Sequence, residues 1–377
     1  MRSLLILISL SMLINVSGLA QSSKRTSAYM YMQNGQLDKA KESIDEAILH
    51  EKTMEDPKTW LYRGEIYYSI ATSPLEIYKD LDPNSHMVAY ESLLKANEYD
   101  VKGRYKKDIA LYMGNLTQVF YNVGNTAYQA GDYEQAIEDF KIAYDISESN
   151  ERLDTIAAYY IGMCAVLAEK PDIAAEYLEI CVNAQFDDPN IYRFYNRAIK
   201  QQGDTARAIE IIREGRERYP DELELLLEEA QIYLEMGKKE ELLVSLVQAV
   251  EADPENANLY FLIGKTYDDM DSLVMAEKYY KKAAEVQPDF FEAYYNIGAI
   301  YVNKAAEFQR QANDLPLDAV DEYNALNDQA SENLKLAVPW LEKSLEVRPD
   351  DQPTILALKE AYSRLKMNDK LQELNER

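Results

Sequence analysis

Cysteine is nearly absent: the 377 residues hold two, Cys164 and Cys181, which is no disulfide framework for a chain of this length. A packed interior must hold it instead, and two small buried hydrophobes are the simpler reading of the pair. Histidine is as scarce, with His50 and His86 each far in sequence from either cysteine, so a zinc cluster has little to be built from. The 13 Gly and 12 Pro are too few for a collagen-like or disordered chain. Positive charge is also in deficit, 40 Lys and Arg against 66 Asp and Glu, for a formal net charge of −26. A field of that sign repels phosphate backbones and anionic headgroups, which makes nucleic acid and membrane surfaces poor partners. What the chain does have is 47% hydrophobic residues, ample for a core.

The first twenty residues stand apart: Arg2, the apolar run LLILISLSMLINVSG, then small residues at Gly18 and Ala20. This is the layout of a secretory signal peptide, with cleavage expected after Ala20 to leave 377 − 20 = 357 residues. An uncleaved anchor is the alternative, although the run is short and Asn/Ser-interrupted for a bilayer span. With no cysteine at the cleavage point, a lipoprotein anchor is not expected, and the low cysteine content fits a bacterial periplasm or exterior. The sequon Asn115-Leu-Thr117 falls inside a helical pattern and is weak evidence for glycosylation.

Gly162, Asn196, Ala230, Gly264 and Gly298 stand in line at four steps of 34 residues; Pro220, Pro254 and Pro288 keep the same step, as do Ala208, Leu242 and Ala276. Several independent features sharing one period point to a repeat whose units bury their apolar faces against one another. First-helix stretches read Trp60-Leu-Tyr-Arg-Gly64-Glu-Ile-Tyr67, Tyr260-Phe-Leu-Ile263-Gly264-Lys-Thr-Tyr267 and Tyr294-Tyr-Asn-Ile297-Gly298-Ala-Ile-Tyr301. Second-helix stretches pair Ala136 with Phe140, Ala276 with Tyr280, Ala89 with Leu93 and Ala337 with Leu341.

These residues resemble the tetratricopeptide repeat over nearly the whole mature chain. The resemblance implies an all-α fold, a right-handed α-solenoid of tandem helix–turn–helix units, about eight plus a partial C-terminal one, in a single domain from 21 to 377. Units begin near residues 24, 57, 105, 155, 189, 223, 257 and 291, with the partial one from Gln352. Asn196 and Ala230 replace the first-helix Gly, and Pro171 is expected to disturb one inter-helix turn. Insertions are expected at about 71–85 and 305–331, the second lengthening both helices of its unit by about 13 residues, or roughly 20 Å.

Strings suggestive of catalysis do not stand up. Gly264-Lys-Thr266 has the tail of a phosphate-binding loop, but Leu259 occupies the partner glycine position. Ser92-x-x-Lys95 and Ser363-x-x-Lys366 lack companion motifs. Asp268, Asp269 and Asp271 lack the spacing of a calcium loop. With no acid–base pair in view, the expectation is a chain with no catalysis and no cofactor.

The resembled family binds peptides or partner helices on the concave side, lined by each unit's first helix. By register that lining is Tyr62, Tyr121, Asn122, Asn125, Tyr128, Tyr159, Tyr160, Met163, Arg193, Phe194, Arg197, Phe261, Lys265, Tyr295 and Asn296. Rings give contact area at low entropy cost and amides pair with peptide backbone. The family's carboxylate clamp is not reproduced, since Tyr121 stands where it needs Lys and Tyr160 where it needs Asn. Arg193, Arg197 and Lys200 form a basic stripe at spacings of four and three. It reads either as a dock for an acidic segment or as ordinary ion pairing with Glu224 and Glu228. The expected function is a protein-interaction scaffold whose partner is a protein or peptide of unknown identity; the alternative is a carbohydrate-binding solenoid involved in glycan uptake.

Overall fold

The computed structural model describes residues 24–376, which are helical with no strand among them. The signal-peptide reading therefore lies outside the described residues. The helices divide into two compact units, at Thr205 and Ala206.

In the first unit, α1 (24–33) and α2 (Leu37–Ala47) precede α3 (Pro57–Ala71), the short α4 (Glu76–Lys79) and α5 (Ser85–Tyr99). There follow α6 (Lys106–Ala130), α7 (Tyr133–Glu148), α8 (Thr155–Leu167), α9 (Pro171–Asn183) and α10 (Asn190–Gln201). The antiparallel partners α3/α5, α6/α7 and α8/α9 pack together, and α7 continues onto α8 and α9 onto α10. The second unit holds α11 (Thr205–Arg218), α12 (Leu223–Glu235), α13 (Lys239–Ala252), α14 (Ala257–Asp268), α15 (Leu273–Val286), α16 (Phe291–Asn313), α17 (Val320–Val347), α18 (Gln352–Arg364) and α19 (Asn368–Glu376). Here α12/α13, α14/α15, α16/α17 and α18/α19 are the packed pairs.

Five pairs, α3/α5, α6/α7, α8/α9, α14/α15 and α16/α17, close on the same device. A β-carbon placed on Gly64 would meet Leu93 at 2.7 Å, on Gly124 Phe140 at 3.0 Å, on Gly162 Leu178 at 2.5 Å, on Gly264 Tyr280 at 2.7 Å and on Gly298 Leu341 at 2.5 Å. The missing side chain on one helix is the seat for the large side chain of the other, and close helix approach depends on it. Pro220, Pro254 and Pro288 stand two residues beyond α11, α13 and α15, where a residue that cannot continue a helix belongs.

The turns keep the 34-residue step in their backbone as well. Glu169, Gly203, Gly237 and Asp271 all have positive φ, at 55, 89, 68 and 57°. Glycine occupies only two of the four, so the turn geometry is set by the packed helices and the side chain at Glu169 is held against its preference. Glu169→Gly is therefore expected to raise the melting temperature of the first unit, by about 1 kcal/mol of stability. Pro171 does not disturb its turn, as the sequence suggested; it stands at the first position of α9, where no backbone N–H is needed and its fixed φ favours helix.

The segment 71–85 separates α3 from α5 and contains only the four-residue α4. The long insertion lengthens both helices as expected: α16 has 23 residues and α17 has 28, against 12 and 14 in α14 and α15. Pro339 lies inside α17 without ending it. A third enlargement has no counterpart in the register, because α6 runs to 25 residues, with its extra length before the repeat's own first-helix positions.

Candidate functional site

The first unit brings four of the expected residues together. Tyr121 and Tyr160, from α6 and α8, line a concavity of about 680 Å³ with the exposed amides Asn122 and Asn125. Its rim is the segment between α7 and α8, which adds Arg152 and Leu153, together with Ile156 from the first turn of α8, and its floor is Phe140. Leu153 and Ile156 are 54% and 50% exposed, so the rim offers apolar surface beside the amides.

Rings run through this site as a continuous series. Phe140 lies 5.9 Å from Tyr121 and stacks on Tyr160 at 5.0 Å; Tyr160 meets Tyr159 at 5.7 Å, and Tyr159 meets Phe194 of α10 at 6.2 Å. Such offset and edge contacts fix the rings in place. Tyr121 is further pinned: its hydroxyl donates to Asp154 Oδ1 at 2.6 Å, while the second carboxylate oxygen accepts from Ser147 Oγ at 2.9 Å and Oδ1 also caps α8 at the Ala157 amide. Burial first, and the Asp154 carboxylate second, push the Tyr121 phenol far above its ordinary pKa. Tyr121 is thus a neutral, oriented wall of the site, and Asn125 its free amide.

Met163 is a correction. It is 7% exposed, because α8 buries nearly its whole circumference, Ala157, Ala158, Ile161, Gly162, Cys164, Ala165 and Val166 included. A helix apolar all round is buried all round, and Met163 belongs to the core. Cys164 and Cys181 are buried and unbridged, with thiols that burial pushes up to about 12.

In the basic stripe, Arg193 is half-buried and donates to Asn190 Oδ1 at 2.9 Å within its own helix, whereas Arg197 is exposed. Lys200 is half-buried on the same helix. Tyr128 packs against Tyr133, at 5.9 Å, and Tyr62 lies in a separate cluster with Tyr29 of α1.

The second unit holds the remaining expected residues, and they are mostly engaged. Phe261 packs between Tyr280 at 5.5 Å and Phe290 at 5.3 Å; Tyr295 stacks on Phe291 at 5.8 Å. Asn296 donates Nδ2 to the Glu292 carbonyl at 2.7 Å, which uses its amide inside α16. Lys265 is exposed in the last turn of α14. Gln118, Arg152, Leu153 and Ile156 were missing from the sequence-derived set; the signal for the last two was an apolar pair in an otherwise polar segment, ERLDTI.

A second concavity of about 910 Å³ lies between α5, α6 and α7, lined in part by His86, Met87, Val123, Glu138 and Asp139. Asp139 is 2% exposed and accepts from Gln135 Nε2 at 3.2 Å, yet burial pushes its carboxyl up to about 6. A carboxyl whose folded pKa exceeds its unfolded value favours the folded state below the unfolded pKa, and that advantage is lost as pH rises through about 4 to 6. Asp139→Asn is therefore expected to raise stability at pH 8 by about 1–3 kcal/mol and to change it little at pH 4, as read by urea unfolding at the two pH values. Among the described residues no group of three or more His, Cys, Asp or Glu is placed to hold a metal ion.

The paired helices, the 34-residue step and the glycine seats define the class, an all-α repeat solenoid. The chain is a tetratricopeptide-repeat protein: two descriptions of that repeat match it, one at residues 26–49, 223–256 and 257–290 and the other at 121–188. Among curated proteins it is similar to BBSome complex member bbs-4 of Caenorhabditis elegans, 25% identical over 268 residues, covering 59% of this chain and 56% of that one. The chain thus spans little more than half the length of that relative. Among solved structures it is similar to the C-terminal part of a repeat-containing protein from Cytophaga hutchinsonii, at 13% identity, 63% of this chain, 99% of that one and a TM-score of 0.43. A repeat protein from Bacteroides fragilis is 20% identical over 66% of this chain and 98% of its own, with a TM-score of 0.33. The peptide-binding repeat protein YrrB is 19% identical over 46% and 88%, with a TM-score of 0.38.

Proposed function

We propose that this protein is an exported, non-catalytic scaffold that receives an extended polypeptide segment in the concavity over Tyr121, Asn125 and Tyr160. Tetratricopeptide repeats serve as protein-interaction scaffolds, and the finer reading rests on one observation. That concavity combines the free amide of Asn125 and the exposed amide of Asn122, whose oxygen accepts from Gln118 Nε2 at 3.1 Å, with rigid rings and an exposed apolar rim. Amides suit the main chain of a bound segment and Leu153 and Ile156 suit its side chains. The faces a sugar ring would need are less available, since Tyr160 lies against Phe140 at an interplanar angle of 17°. The similarity to a subunit of a multi-protein complex agrees with an assembly role.

Asn122 and Asn125 are both exposed, so their joint replacement by Ala leaves the core intact. A partner isolated from envelope extract on the wild-type protein is expected to lose at least about tenfold in affinity for that variant, roughly 1.4 kcal/mol. Equal affinity would remove the concavity from the reading, and retention on polysaccharide with no protein partner would put glycan binding in its place. Export has its own check: N-terminal sequencing of the protein is expected to begin at Gln21, and Met1 on membrane-bound material would replace the cleaved signal by an anchor.

A further inference from the structure

We propose that the cluster of Glu65, Tyr29, Tyr62 and Tyr112 in the first unit receives the cationic head of a lysine or arginine side chain from a partner polypeptide. Helix α3 sets Lys58, Tyr62 and Glu65 on one face, at spacings of four and three. Tyr29 of α1 stacks on Tyr62 with ring centroids 4.5 Å apart. On the other side, α6 contributes Tyr112, which meets Tyr68 edge-on at 5.7 Å. Tyr29, Tyr68, Glu65 and Asp108 all face the Tyr112 hydroxyl, whose pKa rises to about 12, chiefly through burial.

Glu65 is the anomaly. It is 8% exposed, and its carboxylate has no hydrogen bond or ion pair among the described residues. Its oxygens are nevertheless not among the polar atoms sealed from solvent without a partner. Desolvating a carboxylate without compensation is costly, and Asp108 adds repulsion, so that the Glu65 carboxyl is pushed up to about 7. The one nearby cation does not relieve it: the Lys58 ammonium sits over the Tyr62 ring, 5.2 Å from its centre, and lowers the Glu65 pKa only as the smallest of the three influences on it.

A nearly buried carboxylate that shares a helix face with Tyr62 and lies near the Tyr112 phenol selects a positive, partly apolar head. The rings attract a cation through their quadrupoles, the carboxylate accepts its N–H groups, and an anion is repelled by Glu65 and Asp108 together. Two carboxylates and phenols supply too few oxygen ligands for a calcium ion. A side chain delivered on a polypeptide fits the face of α1, α3 and α6, and the net charge of −26 draws basic segments toward it. The site is separate from the concavity at Tyr160 and shares no residue with it.

The test uses a fluorescein-labelled peptide, Ala-Ala-Arg-Ala-Ala, and its counterpart with norleucine in place of arginine, titrated against the full-length protein by fluorescence anisotropy. The arginine peptide is expected to bind at least about tenfold more tightly than the norleucine one. Glu65→Gln, which keeps the shape of the side chain, is expected to remove at least about tenfold of that affinity, while Asn122→Ala/Asn125→Ala leaves it unchanged. Binding should weaken as pH falls from about 8 to about 6, because protonation neutralises Glu65, the carboxyl that Lys58 and Asp108 flank and that lies near the Tyr112 phenol. Absence of arginine-dependent binding at millimolar peptide would overturn the proposal. Equal affinity in a folded Glu65→Gln variant would overturn it too, by reducing the binding to attraction toward the acidic surface at large.

Discussion

Arg216→Met is expected to lower the stability of the second unit by about 3–5 kcal/mol, the usual cost of leaving a buried charge without its partner. Arg216 of α11 pairs with Glu229 of α12, which is 7% exposed. The same carboxylate accepts from Ser245 Oγ at 2.8 Å and from the Tyr233 hydroxyl at 3.4 Å, and Arg216 reaches on to Gln248 of α13 at 2.7 Å. Three helices thus share one charged centre. Removing the guanidinium leaves the buried Glu229 carboxylate with only the hydroxyls of Ser245 and Tyr233 as donors and no opposite charge, whereas replacing both partners, as in Arg216→Met/Glu229→Leu, is expected to recover most of the loss. Thermal unfolding followed by circular dichroism reads both variants. A single mutant that melts within about 2 °C of wild type would show that the charged centre contributes little.

Gly264→Val is expected to cost about 3 kcal/mol, through overpacking against a ring that cannot retreat. A β-carbon at Gly264 would lie 2.7 Å from Tyr280 Cδ1 and 3.2 Å from the Ala276 carbonyl oxygen. Tyr280 is 1% exposed and is backed by Phe261, 5.5 Å away. The protein carries its own control in Gly114, a glycine inside α6 where an added β-carbon meets nothing within 4 Å. There Gly114→Ala is expected to stabilise by about 0.5–1 kcal/mol, the ordinary gain of alanine over glycine in a helix. Opposite signs at the two positions would separate the packing role of Gly264 from backbone propensity; a loss at both would not.

The helix starts were legible because the period carries them. The register placed units at 57, 155, 223, 257, 291 and 352, and helices begin at Pro57, Thr155, Leu223, Ala257, Phe291 and Gln352. The other starts, 105 and 189, fall one residue before α6 and α10. Extra length in α6 shows in the register only as the wide interval between the starts at 105 and 155, since residues before the repeat's own columns have no counterpart to be compared with. Groove positions were harder. Counting along a helix places Met163 beside Tyr159 and Tyr160, but the apolar run IAAYYIGMCAVL already signalled a helix enclosed on every side. Asn296 shows a different limit, because its amide satisfies a carbonyl one turn back, and no spacing rule distinguishes that from an amide left free like Asn125. Glu65 escaped notice because it sits one residue after Gly64, inside the repeat signature itself, where the glycine explained the stretch.

The enlarged pair α16 and α17 has a consequence for how such a chain can change over evolutionary time. Its two helices pack against each other along the added length, with Ala305, Ala312, Ala330 and Leu334 buried there and Leu317 fully exposed in the connecting segment. The extra residues extend a hairpin along its own axis. Duplicating a 34-residue unit lengthens the array in one direction and lengthening a hairpin broadens it in another. A repeat protein therefore has two independent dimensions in which to acquire new surface, and this chain has used both.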